Sequence, residues 1–259
     1  MVAKKFWLGI SVLVLVFATA VSGCDNGLTD DDSGNYGNNS SIVSSDGNGS
    51  NGITLVCFGD SLTAGRGATE KGKDDKTNSY PAYLQQKVNA NVSVVNAGVS
   101  SDTTKKGLAR VDRDILSQNP DIVIVLLGAN DFIRSDGPLP FPVPIATTKA
   151  NFQEIIRKVD NGNRKIFLVK FYTNEIFEKF PFSLIPSSTI RKYDNMFTDI
   201  AKSSKNITLI EDIWTGVWGK HMSDNIHPNA EGYRIMADRI YEKVIPYLEY
   251  YEKNPAPKY

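Results

Sequence analysis

From residue 53 onward the apolar positions fall into two alternating patterns. Short runs rich in Val, Ile and Leu occupy residues 53–58, 92–95, 121–127, 165–171 and 207–210. Continuous runs of that length predict strands buried on both faces. Between them the apolar positions step by three and four: Thr104, Leu108, Val111 and Ile115; Phe152, Ile155, Ile156 and Val159; Ile190, Tyr193, Phe197, Ile200 and Ala201. A last helix over residues 230–248 carries Met236, Ile240, Val244, Tyr247 and Leu248. Each set marks one face of a helix. Strand and helix in strict alternation predict a parallel five-stranded sheet with right-handed crossovers and helices on both faces, an α/β fold built as a three-layer α/β/α sandwich.

Ahead of residue 53 the pattern changes twice. Lys4 and Lys5 precede an apolar run over residues 6–20 and then Val21-Ser22-Gly23-Cys24. This is the order of a secretory signal, and the run is short for a membrane span. Val21-Ser22-Gly23-Cys24 resembles a lipobox, which implies cleavage before Cys24 and a diacylglycerol group on that cysteine; a plain signal peptide ending in cysteine is the alternative. Residues 25–52 are mostly Asn, Gly, Ser and Asp, including Asp30-Asp31-Asp32, too poor in large apolar groups to fold. As a coil this stretch reaches on the order of 30 Å. The expected organisation is a signal peptide over residues 1–23, the lipidated Cys24 with a flexible tether over 24–52, one domain over 53–250 and a tail over 251–259. The expected location is the cell envelope, with the exported chain lipid-anchored to a bacterial membrane.

Charge and cysteine usage narrow the partners. The 259 residues hold 29 basic and 29 acidic side chains, and loss of residues 1–23 removes two lysines and no acid, leaving a formal charge of about −2. No basic excess invites nucleic acid. Besides Cys24 the chain has one cysteine, Cys57, inside the first predicted strand, where it reads as a small core residue rather than a nucleophile. No disulfide is expected.

Candidate chemistry clusters just after predicted strands. Gly59-Asp60-Ser61-Leu62-Thr63-Ala64-Gly65 follows the first and puts Ser61 at the carboxyl edge of the sheet, where doubly wound folds bind ligands. Alone it is an ordinary turn, and Thr63 stands where a Gly-x-Ser-x-Gly elbow has its second glycine. The chain holds two histidines, and one lies in Asp224-Asn225-Ile226-His227-Pro228-Asn229. A serine nucleophile needs a base, and the base needs a partner to fix its tautomer; Asp224, three residues ahead of His227, can supply that within one turn. Asn229 stands in N-cap position for the last helix. By itself the segment reads equally as a turn and cap with a surface histidine, and His221, lacking such neighbours, reads as surface. Oxyanion donors are offered by Asn130 in Leu127-Gly128-Ala129-Asn130-Asp131, after the third strand. Backbone N–H groups of Asn96-Ala97-Gly98-Val99-Ser100-Ser101-Asp102, leading into a helix capped by Asp102 or Thr103, offer others.

Taken together, these ordered blocks resemble the GDSL or SGNH hydrolase superfamily over residues 53–248. Gly59-Asp60-Ser61-Leu62, Asn96-Ala97-Gly98, Gly128-Ala129-Asn130-Asp131 and Asp224-x-x-His227-Pro228 match its four blocks. Ser79-Tyr80-Pro81-Ala82-Tyr83-Leu84, Asp102-Thr103-Thr104 and Gly107-Leu108-Ala109-Arg110 are similar to its bacterial lysophospholipases, arylesterases and thioesterase I. The resemblance implies a flavodoxin-like sheet of order 2-1-3-4-5 and cleavage of carboxylic esters, thioesters or lysophospholipids through an acyl-enzyme, with no metal or cofactor. It implies Ser61, Asp224 and His227 as the catalytic triad, and an oxyanion hole made by the Ser61 N–H, the Ser101 N–H and the Asn130 side-chain amide. The chain departs from the family at Ser101, where glycine is usual. A serine N–H can serve there if φ is negative, which the approach to a helix leads one to expect; a positive φ would strain it.

Apolar loops after the third and fourth strands should overhang this edge, making Phe132, Ile133, Tyr172 and Phe177 candidate substrate contacts for an acyl chain or aromatic ester; packing onto the domain is the alternative. Two other functions fit the same sequence. One is a carbohydrate O-acetylesterase acting on cell-wall or surface polysaccharide, and the other a non-catalytic binding lipoprotein on the same fold.

Overall fold

The computed structural model describes residues 52–133, 144–172 and 186–254. The signal peptide, Cys24 and nearly all of the tether therefore lie outside the described residues, as do Phe177, the apolar loop segments 134–143 and 173–185, and residues 255–259.

Five strands are present: β1 (Ile53–Gly59), β2 (Val92–Gly98), β3 (Ile122–Leu126), β4 (Lys165–Val169) and β5 (Ile207–Ile210). All neighbours pair in parallel in the order β2-β1-β3-β4-β5, as expected. Every residue of β3 and β4 is buried, so these central strands read as unbroken apolar runs. Cys57 is buried in β1, and burial pushes its thiol pKa up, which suits a core residue.

The helices are α1 (Ser61–Ala64), α2 (Tyr80–Lys87), α3 (Thr104–Ala109), α4 (Val111–Asp114), α5 (Ala129–Ile133), α6 (Ile145–Val159), α7 (Ser187–Ala201) and α8 (Ala230–Lys253). The pair α2 and α8 packs on one face of the sheet, while α3, α6 and α7 pack in succession on the other. In α6 the buried residues are Thr148, Phe152, Ile155, Ile156 and Val159, the face that the periodicity marked.

Three elements differ from expectation. The helix expected along Thr104, Leu108, Val111 and Ile115 is broken at Arg110 (φ −116°, ψ 8°) into α3 and α4. The Arg110 guanidinium makes buried tertiary hydrogen bonds there, a constraint that periodicity does not register. Helix α2 was not expected, because it buries only Tyr80, Pro81 and Leu84; Ser79 ahead of a proline in the first turn was its sequence signal. Helix α8 runs on past Pro246 to Lys253, beyond the residue 248 at which the periodicity ended it.

Candidate active site

The strand order places β1 between β2 and β3, so the connections leaving β1 and β3 diverge above the carboxyl edge and leave a crevice there. Ser61 is the first residue of α1, directly above the end of β1. Asp60 caps this turn by accepting the Leu62 N–H at 3.0 Å, and Gly65 closes it at φ 79°. The turn sits almost on β2: a Cβ on Gly98 would lie 2.3 Å from the Ala64 nitrogen and 2.6 Å from the Thr63 carbonyl carbon. Only glycine permits that approach.

The second component comes from the segment between β5 and α8. Asp224 Oδ1 accepts the N–H groups of Ile226 (2.8 Å) and His227 (2.7 Å), a local turn that fixes the His227 backbone against its own partner. His227 Nδ1 lies 2.9 Å from Asp224 Oδ2, and its Nε2 lies 3.0 Å from Ser61 Oγ. Burial would raise the Asp224 carboxyl, but the His227 ring and the two N–H groups prevail and hold it at about 2. Asn229 caps α8 through the Gly232 N–H at 3.0 Å. The segment is tied to the loop after α1, where Ala68 O accepts the Ala230 N–H and Arg66 O accepts the Tyr233 hydroxyl, each at 2.8 Å. His221 is half-buried and uses its backbone carbonyl to hold the Asn229 N–H.

The sequence-marked donors converge on the same edge. Asn130 is buried in α5, with Nδ2 donating to Asp102 O at 3.0 Å and, at 3.4 Å, to Asp60 Oδ2. Among the described residues, the N–H groups of Ser61 and Ser101 donate to no other group. Ser101 itself corrects the sequence expectation: its φ is +68°, not negative. The helix entry that suggested extended backbone begins two residues later, at the Thr103 cap, and the tight bend from Gly98 to Asp102 is taken up at Ser101 instead.

Asp60 was not singled out from the sequence beyond its place in the first block. It is fully buried, and that burial pushes its carboxyl up to about 7; the Leu62 N–H opposes this, while nearby Asp131 and Asp102 add to it. Asp131 in turn accepts the Thr104 N–H at 2.7 Å and ties α5 to α3.

The expected substrate contacts divide. Phe132 is half-buried, edge-on to Tyr193 with centroids 5.0 Å apart. Tyr172 is 2% exposed and gives its hydroxyl to Asp194 at 3.0 Å, so it packs inward against α7 rather than lining the open edge, contrary to expectation. Ile133 ends α5, and its side chain is outside the described residues. Among the described residues no cluster of three His, Cys, Asp or Glu side chains could hold a metal ion.

The family model for GDSL-like lipases and acylhydrolases matches residues 57–235. The chain belongs to this family. As a member it is a carboxylic ester hydrolase, and the matched span contains each of the site residues described above. Among its relatives is the thioesterase 1/protease 1/lysophospholipase L1 of Escherichia coli (strain K12), 28% identical over 203 residues, covering 76% of this chain and 86% of that one. Another is an uncharacterized lipoprotein, YqeF, of Bacillus subtilis (strain 168), 27% identical over 179 residues, covering 62% of this chain and 70% of the relative. The fold is shared with the psychrotrophic esterase EstA from a Pseudoalteromonas species at a TM-score of 0.60 and 22% identity, over 76% of this chain and 98% of that one.

Proposed function

We propose that this chain cleaves carboxylic esters through an acyl-enzyme on Ser61, with His227 as general base and Asp224 as its orienting partner. The observation that carries this reading is the hydrogen-bonded series Ser61 Oγ, His227 Nε2, His227 Nδ1 and Asp224 Oδ2, at 3.0 and 2.9 Å, joining residues far apart in sequence. Asp224 accepts the hydrogen bond of the Nδ1–H, which keeps the proton on Nδ1 and leaves Nε2 as acceptor for the serine hydroxyl. As Ser61 Oγ bonds to the ester carbonyl carbon, its proton passes to Nε2 and negative charge gathers on the carbonyl oxygen. The free N–H groups of Ser61 and Ser101 are suited to that charge. The Asn130 amide joins them when the oxyanion displaces its longer contact, the one to Asp60. The Nε2 proton then goes to the departing alkoxide, and water, activated by the same imidazole, releases the acid.

The substrate we propose is a small or acyl-chain ester, with thioesters and lysophospholipids in the same class as the name of the Escherichia coli relative suggests. Phe132, two residues beyond Asn130, is the described apolar side chain nearest that role. The lipobox-like Cys24 together with the lipoprotein relative supports an exported chain held to a membrane through lipid on Cys24. The test is turnover of p-nitrophenyl acetate, butyrate and octanoate. Ser61→Ala and His227→Ala should each lose about 10⁴-fold or more in kcat with the fold intact, and the double variant should be little worse, because the members act as a unit. Near wild-type turnover by Ser61→Ala would remove the nucleophile assignment.

A further inference from the structure

Arg110 stands behind the candidate oxyanion hole and is bonded to no member of the triad, yet it is tied to the segments that carry Ser61 and Ser101 and, through Asp102, to Asn130. It is 7% exposed, with the guanidinium 4.1 Å from the centre of the Phe58 ring. Nη2 donates to Gly59 O at 2.7 Å, and Nε donates to Asp102 Oδ2 at 2.5 Å. Nη1 donates to Ala97 O and to Asp114 Oδ2, both at 2.8 Å.

Two of these partners, Gly59 and Asp102, lead to the donors. Gly59 lies two residues before Ser61, and its carbonyl also accepts the Val99 N–H at 3.0 Å, joining the ends of β1 and β2. Asp102 directly follows Ser101. Its carbonyl accepts the Asn130 amide at 3.0 Å, so one residue is gripped by Arg110 through the carboxylate and holds Asn130 through the backbone. The helix breaks at Arg110, consistent with a side chain whose tertiary bonds override helical continuity.

We propose that Arg110 is a positioning residue for the oxyanion hole, its planar guanidinium setting the spacing of the Ser61 N–H, the Ser101 N–H and the Asn130 amide by gripping Gly59 O and Asp102 at once. This rests on the esterase mechanism proposed above. Only a rigid fork of five donors can satisfy two backbone carbonyls and two carboxylates in different directions; a lysine ammonium is a compact point charge that keeps the charge and loses the geometry. Donors that meet charge only in the transition state affect kcat and leave ground-state binding nearly untouched.

The experiment compares the wild-type protein with Arg110→Lys and with the double variant Arg110→Met/Asp102→Asn, which avoids stranding a buried carboxylate. For both variants kcat on p-nitrophenyl butyrate should fall about 10²-fold with KM within about threefold, as expected for misaligned oxyanion donors. The pH at which the imidazole limb of kcat/KM turns over should not move, because the triad is untouched. In parallel, the backbone N–H resonances of Ser61 and Ser101 and the side-chain amide of Asn130 are followed by ¹⁵N NMR, and all three should shift in Arg110→Lys. Unchanged resonances, or kcat within threefold of wild type in folded variants, would overturn the role of Arg110. A wild-type protein that turned over no ester would instead overturn the esterase mechanism, and the resonances alone would then decide whether Arg110 positions these groups.

Discussion

At Ser101 a serine occupies φ +68°, a region where a β-carbon crowds the backbone. The strain is of order 1 kcal/mol. Ser101→Gly should therefore raise unfolding free energy by about that amount, offset by a few tenths from added freedom of the unfolded loop, and urea denaturation will read the difference. Asp60 gives a second test. Its carboxyl is raised from 3.8 to about 7 in the fold, so between those values the native state keeps a proton that the unfolded chain has released. The associated stability is complete below about pH 4 and is lost as pH rises toward 7. The melting temperature of the wild type should fall from pH 5 to pH 8, by an amount on the order of a few kcal/mol in stability. Asp60→Asn, which keeps the acceptor for the Leu62 N–H, should flatten that fall. The opposite shift of Asp224, down to about 2, acts only below pH 4 and leaves this window clear. A wild-type curve flat from pH 5 to 8 would contradict the buried, proton-holding state of Asp60.

At the scale of elements, the four-residue turn α1 is held by where β2 ends. With the Gly98 position 2.3 Å from the Ala64 nitrogen, Gly98→Ala has no soft side chain to displace, only the backbone that carries Ser61. The expected cost is about 2–3 kcal/mol in stability. A displacement of α1 by even about 1 Å should lower kcat on the order of 10²-fold, because attack geometry degrades over that distance. Thermal melts and steady-state kinetics on the same preparation separate the two effects, and a Gly98→Ala protein with wild-type kcat would show that α1 does not depend on this contact. The break between α3 and α4 belongs to the same scale: the helical period from Thr104 to Ile115 is real, and the interruption comes from bonds that Arg110 makes to β1 and β2.

For the whole molecule, parallel strands set the polarity. Ile53 enters β1 at the amino edge of the sheet and Ser61 stands at the carboxyl edge, so a tether arriving at residue 52 joins the domain opposite the site. Such a chain, anchored through Cys24, would hold the catalytic edge clear of its attachment, and chemistry would not depend on the tether. Cys24→Ser should accordingly move the protein from the membrane fraction to the soluble fraction with kcat on p-nitrophenyl butyrate within twofold of wild type. Retention of Cys24→Ser in membranes would end the lipoprotein reading. No helix among the described residues is long and apolar enough to cross a membrane.

The sequence by itself determined what neighbours along the chain decide. Five apolar runs became five strands, because segments buried on both sides must be apolar throughout. Asp224 and His227 were legible as a pair because three residues and one turn separate them, and Asn229 as a cap because its partner is the Gly232 N–H. The sheet order and the remaining site residues came from four blocks that resemble one family. Only the tertiary structure decided how distant segments meet. Ser61 and His227 stand 166 positions apart in the sequence. Ser101 takes a positive φ because β2 and α3 must connect across the crevice, Tyr172 turns inward because Asp194 of α7 receives its hydroxyl, and Arg110 leaves helical geometry because Gly59 and Asp102 lie within its reach. Periodicity and turn chemistry record local free energies, whereas these arrangements follow from contacts that exist only once the sheet has brought its strand ends together.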